Sequence, residues 1–396
     1  MLQLKIVKFP QNSYIVVEGR DSEDNFYIIQ KGNIRCYKAT GSGIAPVIYG
    51  PGDFVGVVPC MSGHLQIETA IAMTDVQAIA VKKDQYPDLI AQNTPVALKI
   101  IKTFANRMRV MNQMLTKATV NASAVNENHD QIFQVAQYYD KQALSDIAVF
   151  AYYQFLKTRP VGPTFDYAKQ RFALLKPKTH AVFYEPTPAL TRSYPINTMV
   201  FSEAQNGSDM FIIQRGEIAI TKVVNGKEVT LALLTKGDMF GEMALIENKP
   251  RSANAIAHSD CDLMVVNRTN FNQMVATQPQ LISKLTTTLA ERLWSMYRQL
   301  DNANLGDPLA KLVDILSLQI EKMKVPGIIS KQSLQTELTI KDLINLSSLP
   351  NHLQAQASYD FQLQPNYKIV NGKIFVKDVL ELTKQAAFYR KQNNAK

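Results

Sequence analysis

The spacing of apolar positions changes period several times along the chain. Up to about residue 94, short β-branched and aromatic runs are separated by Gly, Asn and Asp, the pattern of short strands joined by tight turns. From Pro95 to Lys117 the apolar side chains recur at helical spacing instead. The same succession returns later. Val223-Val224-Asn225-Gly226-Lys227-Glu228-Val229 predicts a hairpin, because Asn-Gly suits a type I′ turn, and Pro279 to Leu300 is again helical. The final segment predicts a helix over Leu309–Ile320 behind Pro308, which fits a first-turn position. Two further helices are expected over Thr339–Leu346 and Ser348–Phe361, then an Asn371-Gly372 hairpin over Tyr367–Val376 and a last helix over Asp378–Arg390.

The returning pattern is an internal repeat. Asp24-Asn25-Phe26-Tyr27-Ile28-Ile29-Gln30-Lys31-Gly32 parallels Ser208-Asp209-Met210-Phe211-Ile212-Ile213-Gln214-Arg215-Gly216, and Gly52-Asp53-Phe54-Val55-Gly56 parallels Gly237-Asp238-Met239-Phe240-Gly241. Ala70-Ile71-Ala72 and Ala255-Ile256-Ala257 keep the same spacing from those glycines. Closely spaced short strands suggest a barrel or jelly roll. The expected architecture is therefore α+β. A first β-roll with its trailing helix occupies 1–118, a helical connector 119–180, a second roll with a long helix 181–300 and a C-terminal domain 301–396. The connector is rich in Ala and Tyr, and Gln134–Tyr139 with Ala148–Tyr153 faintly resembles one tetratricopeptide-type hairpin. A plain helical connector with an aromatic core is the preferred reading. Breaks are expected near Pro160 and Pro186.

Composition narrows the classes. At 46% hydrophobic and 19% charged residues, packed cores are available throughout. No run approaches the roughly 20 uninterrupted apolar residues of a membrane span, and the N-terminus lacks a signal-peptide core, so a cytoplasmic protein with no membrane partner is expected. Cys36, Cys60 and Cys261 are far apart and odd in number, which predicts free thiols rather than a disulfide framework. The five histidines are scattered without metal-ligand spacing, and neither GxSxG nor a P-loop occurs. No catalytic residue, metal or cofactor is expected. The net charge of +9 suits anionic partners, but the basic residues form no block.

The informative stretch runs from Gly237 to Ala257. Phe240-Gly241-Glu242-Met243-Ala244-Leu245, followed by Pro250-Arg251-Ser252-Ala253, closely resembles the phosphate-binding cassette of the cyclic-nucleotide-binding domain family. That family includes kinase regulatory subunits, gated channels and catabolite-activator-type transcription regulators. The physics agrees. Gly241 admits close backbone approach, and the helix that follows leaves its first N–H groups free for an anion. Arg251 can pair bidentately with a cyclic phosphate. Glu242 can accept from the ribose 2′-hydroxyl, and Ser252 adds a hydroxyl. Met243 lies in the cassette, and Ala244 and Ala253 are small where bulk would exclude ligand. The expected ligand is a cyclic nucleotide, with cyclic AMP favoured over cyclic GMP by family prevalence.

In the first copy Val57 replaces Glu242, Pro59 replaces Ala244, Gln66 replaces Arg251 and Ile67 replaces Ser252. That module is expected to keep the fold and lose the nucleotide. In the family the helix after the roll closes over the purine, which makes Trp294, Met296 and Tyr297 candidate base contacts. The same helix, 281–300, is a candidate homodimer seam. The C-terminal segment resembles the catabolite-activator winged helix, with Ile340–Ile344 in the positioning helix and Asn371-Gly372 in the wing. Its recognition helix, about Leu349–Phe361, contains no Lys or Arg. DNA is accordingly the less favoured partner, and signalling by protein contact, to a partner the sequence does not name, is preferred. The alternatives are a DNA-binding regulator of the catabolite-activator type and a kinase-regulatory-subunit-like protein.

Overall fold

The computed structural model of the chain describes residues 4–22, 24–38, 44–120, 130–158, 162–183, 190–224, 226–323, 332–347 and 349–394. The breaks expected at Pro160 and Pro186 lie outside them, as do Asn225 and the expected start of a helix at residue 348. The described chain divides into two compact units, one of residues 84–290 and one of 3–83 with 291–396.

The first roll is made of β1 (Lys5–Phe9), β2 (Tyr14–Val16), β3 (Asn25–Lys31), β4 (Ile34–Tyr37), β5 (Val47–Tyr49), β6 (Phe54–Val55), helix α1 (Val57–Ser62), β7 (Thr69–Ala72) and β8 (Val76–Lys82). Two four-stranded sheets, ordered β1-β8-β3-β6 and β2-β7-β4-β5, face each other over Ile29, Ile34, Cys36, Val55, Ala70 and Ala72. Every pair is antiparallel. Helices α2 (Tyr86–Gln92) and α3 (Thr94–Val120) follow. The connector is α4 (Asp130–Lys141), α5 (Ser145–Lys157) and α6 (Pro163–Leu175), packed around Tyr139, Phe150, Tyr152 and Phe155.

The second roll repeats the first. It comprises β9 (Thr191–Tyr194), β10 (Met199–Phe201), β11 (Met210–Arg215), β12 (Ile218–Val224), β13 (Lys227–Leu234), β14 (Met239–Phe240), α7 (Glu242–Glu247), β15 (Asn254–Ala257) and β16 (Cys261–Val266). Its sheets run β14-β11-β16-β9 and β10-β15-β12-β13. The repeat extends to backbone angles: Gly32, Gly52 and Gly56 have positive φ, as do Gly216, Gly237 and Gly241. At Gly216 an added Cβ would lie 2.3 Å from the Asp260 carbonyl oxygen, which explains the glycine by space as well as by angle.

Helices α8 (Arg268–Thr277) and α9 (Pro279–Ala303) follow the second roll in sequence. The apolar stripe of α9, including Ile282, Leu285, Leu289, Leu293 and Leu300, is buried within the single chain. Among the described residues, no large apolar side chain of that helix is exposed.

The C-terminal domain contains α10 (Pro308–Lys322), β17 (Leu334–Gln335), α11 (Ile340–Ser347), α12 (Asn351–Gln362), β18 (Tyr367–Val370), β19 (Lys373–Val376) and α13 (Val379–Asn394). Asp307 caps α10 by accepting from the Leu309 and Ala310 N–H groups. Asn371 and Gly372 both have positive φ, as the type I′ turn of the expected wing requires. Buried Asp314 accepts from Arg298 of α9 and Arg390 of α13, so three helices meet on one carboxylate. The three cysteines are free and buried. No helix among the described residues is long and apolar enough to cross a membrane.

Candidate functional site

The site is assembled at the turn from β14 into α7. Gly241 takes the left-handed conformation there, φ 78°, and six helical residues follow. Its lack of a side chain is required twice. A Cβ at this position would meet Arg251 Nη1 at 2.8 Å and the Asp209 carbonyl oxygen at 3.2 Å. Gly207 serves the opposite side, where a Cβ would lie 2.7 Å from Arg251 Nη2. Two glycines thus cradle one guanidinium.

That guanidinium is 5% exposed. Nη1 donates to the Gly241 carbonyl at 2.7 Å, and the group lies 4.2 Å from the centre of the Phe201 ring. Its Nε is buried without a hydrogen-bond partner. Among the described residues Arg251 forms no ion pair: nearby Asp209 is engaged by Arg192 at 3.6 Å. Burial pushes the Arg251 pKa down from 12.5 to about 10, against the opposing pull of Asp209 and Glu242. A buried cation in this condition is costly until an anion joins it.

The other cassette residues converge on the same place. Glu242 is buried at the first position of α7. Ser252 Oγ lies 3.5 Å from Met243 Sδ, which brings those two together. Ala244 and Ala253 are buried, the latter in the core of the roll. Arg268 of α8 holds the end of α7 by donating to the Leu245 carbonyl at 2.8 Å.

The candidate base contacts Trp294, Met296 and Tyr297 all lie on α9. Trp294 is stacked face to face on His64 of the first roll, with ring centroids 3.7 Å apart. Tyr297 is buried and Met296 half-buried on the same length of α9. The helix that packs along α7, and also along β12, β13 and α8, is α3. Arg109 of α3 donates to the Pro250 carbonyl, one residue before Arg251, at 3.2 Å. One turn further on the same helix, the Asn112 amide is 7% exposed and makes no hydrogen bond among the described residues. Sequence reasoning passed over α3 because it belongs to the other repeat. The polar residues Arg109, Asn112 and Thr116, on a helix face that is otherwise Met and Leu, were the available signal.

In the first roll Gln66 occupies the place of Arg251. The Gly19 N–H donates to the Gln66 carbonyl and the Gln66 N–H to the Arg20 carbonyl, as the Ala204 N–H donates to the Arg251 carbonyl and the Arg251 N–H to the Gln205 carbonyl. Gln66 Oε1 is buried without a partner, and all six residues of α1 are buried.

Residues 6–93 and 191–278 each match the cyclic nucleotide-binding domain family. The cyclic AMP receptor protein of Thermus thermophilus is 32% identical over 111 residues, 28% of this chain and 51% of the relative. The cAMP-activated global transcriptional regulator CRP of Pasteurella multocida is 30% identical over 132 residues, 33% of this chain and 63% of the relative. The chain therefore spans only about half to three-fifths of the length of these curated relatives. A CooA mutant from Carboxydothermus hydrogenoformans superposes with a TM-score of 0.42 at 18% identity, over 50% of this chain and 87% of that one. The two matched stretches fall on the two rolls, consistent with tandem modules similar to the cyclic nucleotide-binding domain family.

Proposed function

We propose that the second domain binds one cyclic nucleotide and that the protein is a cyclic-nucleotide-responsive regulator. The observation that carries this is the buried Arg251 guanidinium, held between Gly207 and Gly241 with its Nε unpartnered. A cyclic phosphate supplies the missing anion, and the first amides of α7 add donors beside it. In this reading Glu242 accepts from the ribose, while Met243, Ala244, Ser252 and Ala253 shape the walls. Asn112 of α3 takes the role first assigned to Trp294, Met296 and Tyr297: a side-chain amide can accept from the adenine amino group or donate to a guanine carbonyl. Cyclic AMP is favoured, as the ligand named for both curated relatives.

The first domain is silent in this scheme, because Gln66 and Val57 offer no charge to a phosphate. Residues 1–118 form the silent module, 119–180 the connector, 181–300 the sensor and 301–396 the output segment of a cytoplasmic protein. Output by protein contact is supported by α12, which has no Lys or Arg and exposes Tyr359 at 60%, with Leu363 just beyond its end at 62%. Phosphate neutralisation, the main source of DNA affinity, has no donor on that helix. Thermal melting tests the ligand. At ~100 times the dissociation constant, cyclic AMP should stabilise the protein by ~2.7 kcal/mol. A melting point indifferent to both cyclic AMP and cyclic GMP refutes the proposal. Anisotropy with a mixed DNA library, with and without ligand, tests the output: tight, sequence-selective, ligand-dependent binding would replace protein contact by DNA.

A further inference from the structure

Inside the second roll lies an ion pair that the nucleotide site does not require. Lys222 Nζ of β12 and Glu203 Oε1 are 2.7 Å apart, and both side chains are essentially fully buried. Such pairs contribute little to stability, since desolvation offsets their attraction, so their value lies in fixing position. Glu203 lies in the loop 202–207 that borders Arg251. Its N–H donates to Asn254 Oδ1 at 2.8 Å. The next residue, Ala204, donates to the Arg251 carbonyl at 2.9 Å, and the Arg251 N–H donates to Gln205 at 2.8 Å. Gly207 of the same loop borders the guanidinium.

The internal repeat separates the constant part of this arrangement from the variable part. In the first roll Lys38 pairs with Glu18 at 3.0 Å, the Glu18 N–H donates to Thr69 Oγ1, and Gly19 and Arg20 grip the backbone of Gln66. The pair and its loop are thus scaffold common to both copies. What differs is the third partner from outside the roll. In the first copy it is Asp301 of α9, 2.9 Å from Lys38. In the second it is Gln131 of α4, whose Nε2 lies 3.5 Å from Glu203 Oε2 and donates to the Val223 carbonyl at 3.1 Å.

We propose that Gln131, through Glu203, couples the connector helix α4 to the nucleotide site. This rests on the second domain being the cyclic-nucleotide site. An anion on Arg251 draws the guanidinium and the loop that grips it into one fixed arrangement, and α4 feels the change at Gln131. The helix stays on the roll regardless, because Tyr139 reaches Glu228 at 2.7 Å and Thr221 at 3.1 Å, and Ile132 and Val135 pack with Val223, Met199 and Ile256. Gln131 is the contact that reaches the loop, and the connector is a readout of occupancy in its own right. Coupling is reciprocal: if ligand orders α4, the α4 contact must strengthen ligand binding by the same factor.

The test uses the full chain with cyclic AMP as probe, combining calorimetry with amide hydrogen exchange. In the wild type, saturating cyclic AMP slows exchange in 130–141. Gln131→Leu abolishes that slowing and weakens binding about fivefold or more, beyond whatever it takes from the ligand-free melting point by stranding the Val223 carbonyl. Gln131→Glu, which sets a second carboxylate beside Glu203, weakens binding at least as far. Tyr139→Phe lowers the melting point but keeps ligand-dependent protection. Exchange in α4 that ignores ligand in the wild type overturns the coupling alone. So does a Gln131→Leu variant that melts earlier yet binds as the wild type does, which is a purely structural role. A wild type that takes up neither cyclic AMP nor cyclic GMP overturns the nucleotide reading and the coupling with it.

Discussion

Replacing Arg251 by Gln copies into the second domain the residue found at the matching place in the first. The backbone path is unaffected, because positions 66 and 251 make the same pair of backbone hydrogen bonds. What changes is charge. Burial lowers the Arg251 pKa from 12.5 to about 10, which puts the cost of keeping the cation buried on the order of 3 kcal/mol. The unfolded chain holds this proton up to the ordinary arginine value, whereas the folded chain releases it near 10. The cost is therefore fully present at neutral pH and fades only as the pH rises above 10. Gln removes it and introduces a buried amide worth about 1–3 kcal/mol if unpartnered. The ligand-free variant should melt no lower than the wild type. With ligand the order reverses. Loss of one partner of a buried charge pair costs about 3–5 kcal/mol, roughly a hundred- to several-thousand-fold in Kd. Calorimetric titration and paired melts with and without cyclic AMP measure both effects. A variant that binds within tenfold of the wild type, or that melts well below it without ligand, refutes the reasoning.

Three further outcomes are expected. Gly241→Ala and Gly56→Ala impose the same left-handed strain, about 1–2 kcal/mol, but only the former drives a methyl to 2.8 Å from Arg251; both should lower the melting point, and only Gly241→Ala should abolish ligand binding. Asn112→Ala should weaken nucleotide binding and shift the ratio of cyclic AMP to cyclic GMP affinity in competition titrations; an unchanged ratio removes Asn112 from the base site. Asp314→Ala leaves Arg298 and Arg390 facing each other without their shared carboxylate and should cost about 3–5 kcal/mol in urea unfolding; a loss below 1 kcal/mol would mean the cluster is well hydrated.

What could be read from sequence was what is contiguous. The cassette is one run of about twenty residues, so Gly241, Glu242 and Arg251 announced themselves, and the Gly and Asn-Gly signals follow from local backbone angles. The two rolls were visible because strand and turn patterns repeat at a fixed offset. The packing of α3, from the other repeat, on α7 was not legible because adjacency in sequence points only to α9. Lys222, Glu203 and Gln131 were invisible for a related reason: their meaning comes from a buried contact among three separate elements, and none belongs to a motif. An apolar helical stripe such as that of α9 cannot say whether its own chain or another copy will cover it.

The most direct measurement is a calorimetric titration of the full chain with cyclic AMP, beside Arg251→Ala and Gln66→Ala. One site per chain is expected, lost in Arg251→Ala and retained with unchanged affinity in Gln66→Ala. Two equivalent sites, binding that survives Arg251→Ala, or no uptake of cyclic AMP or cyclic GMP would contradict a single site built on Arg251.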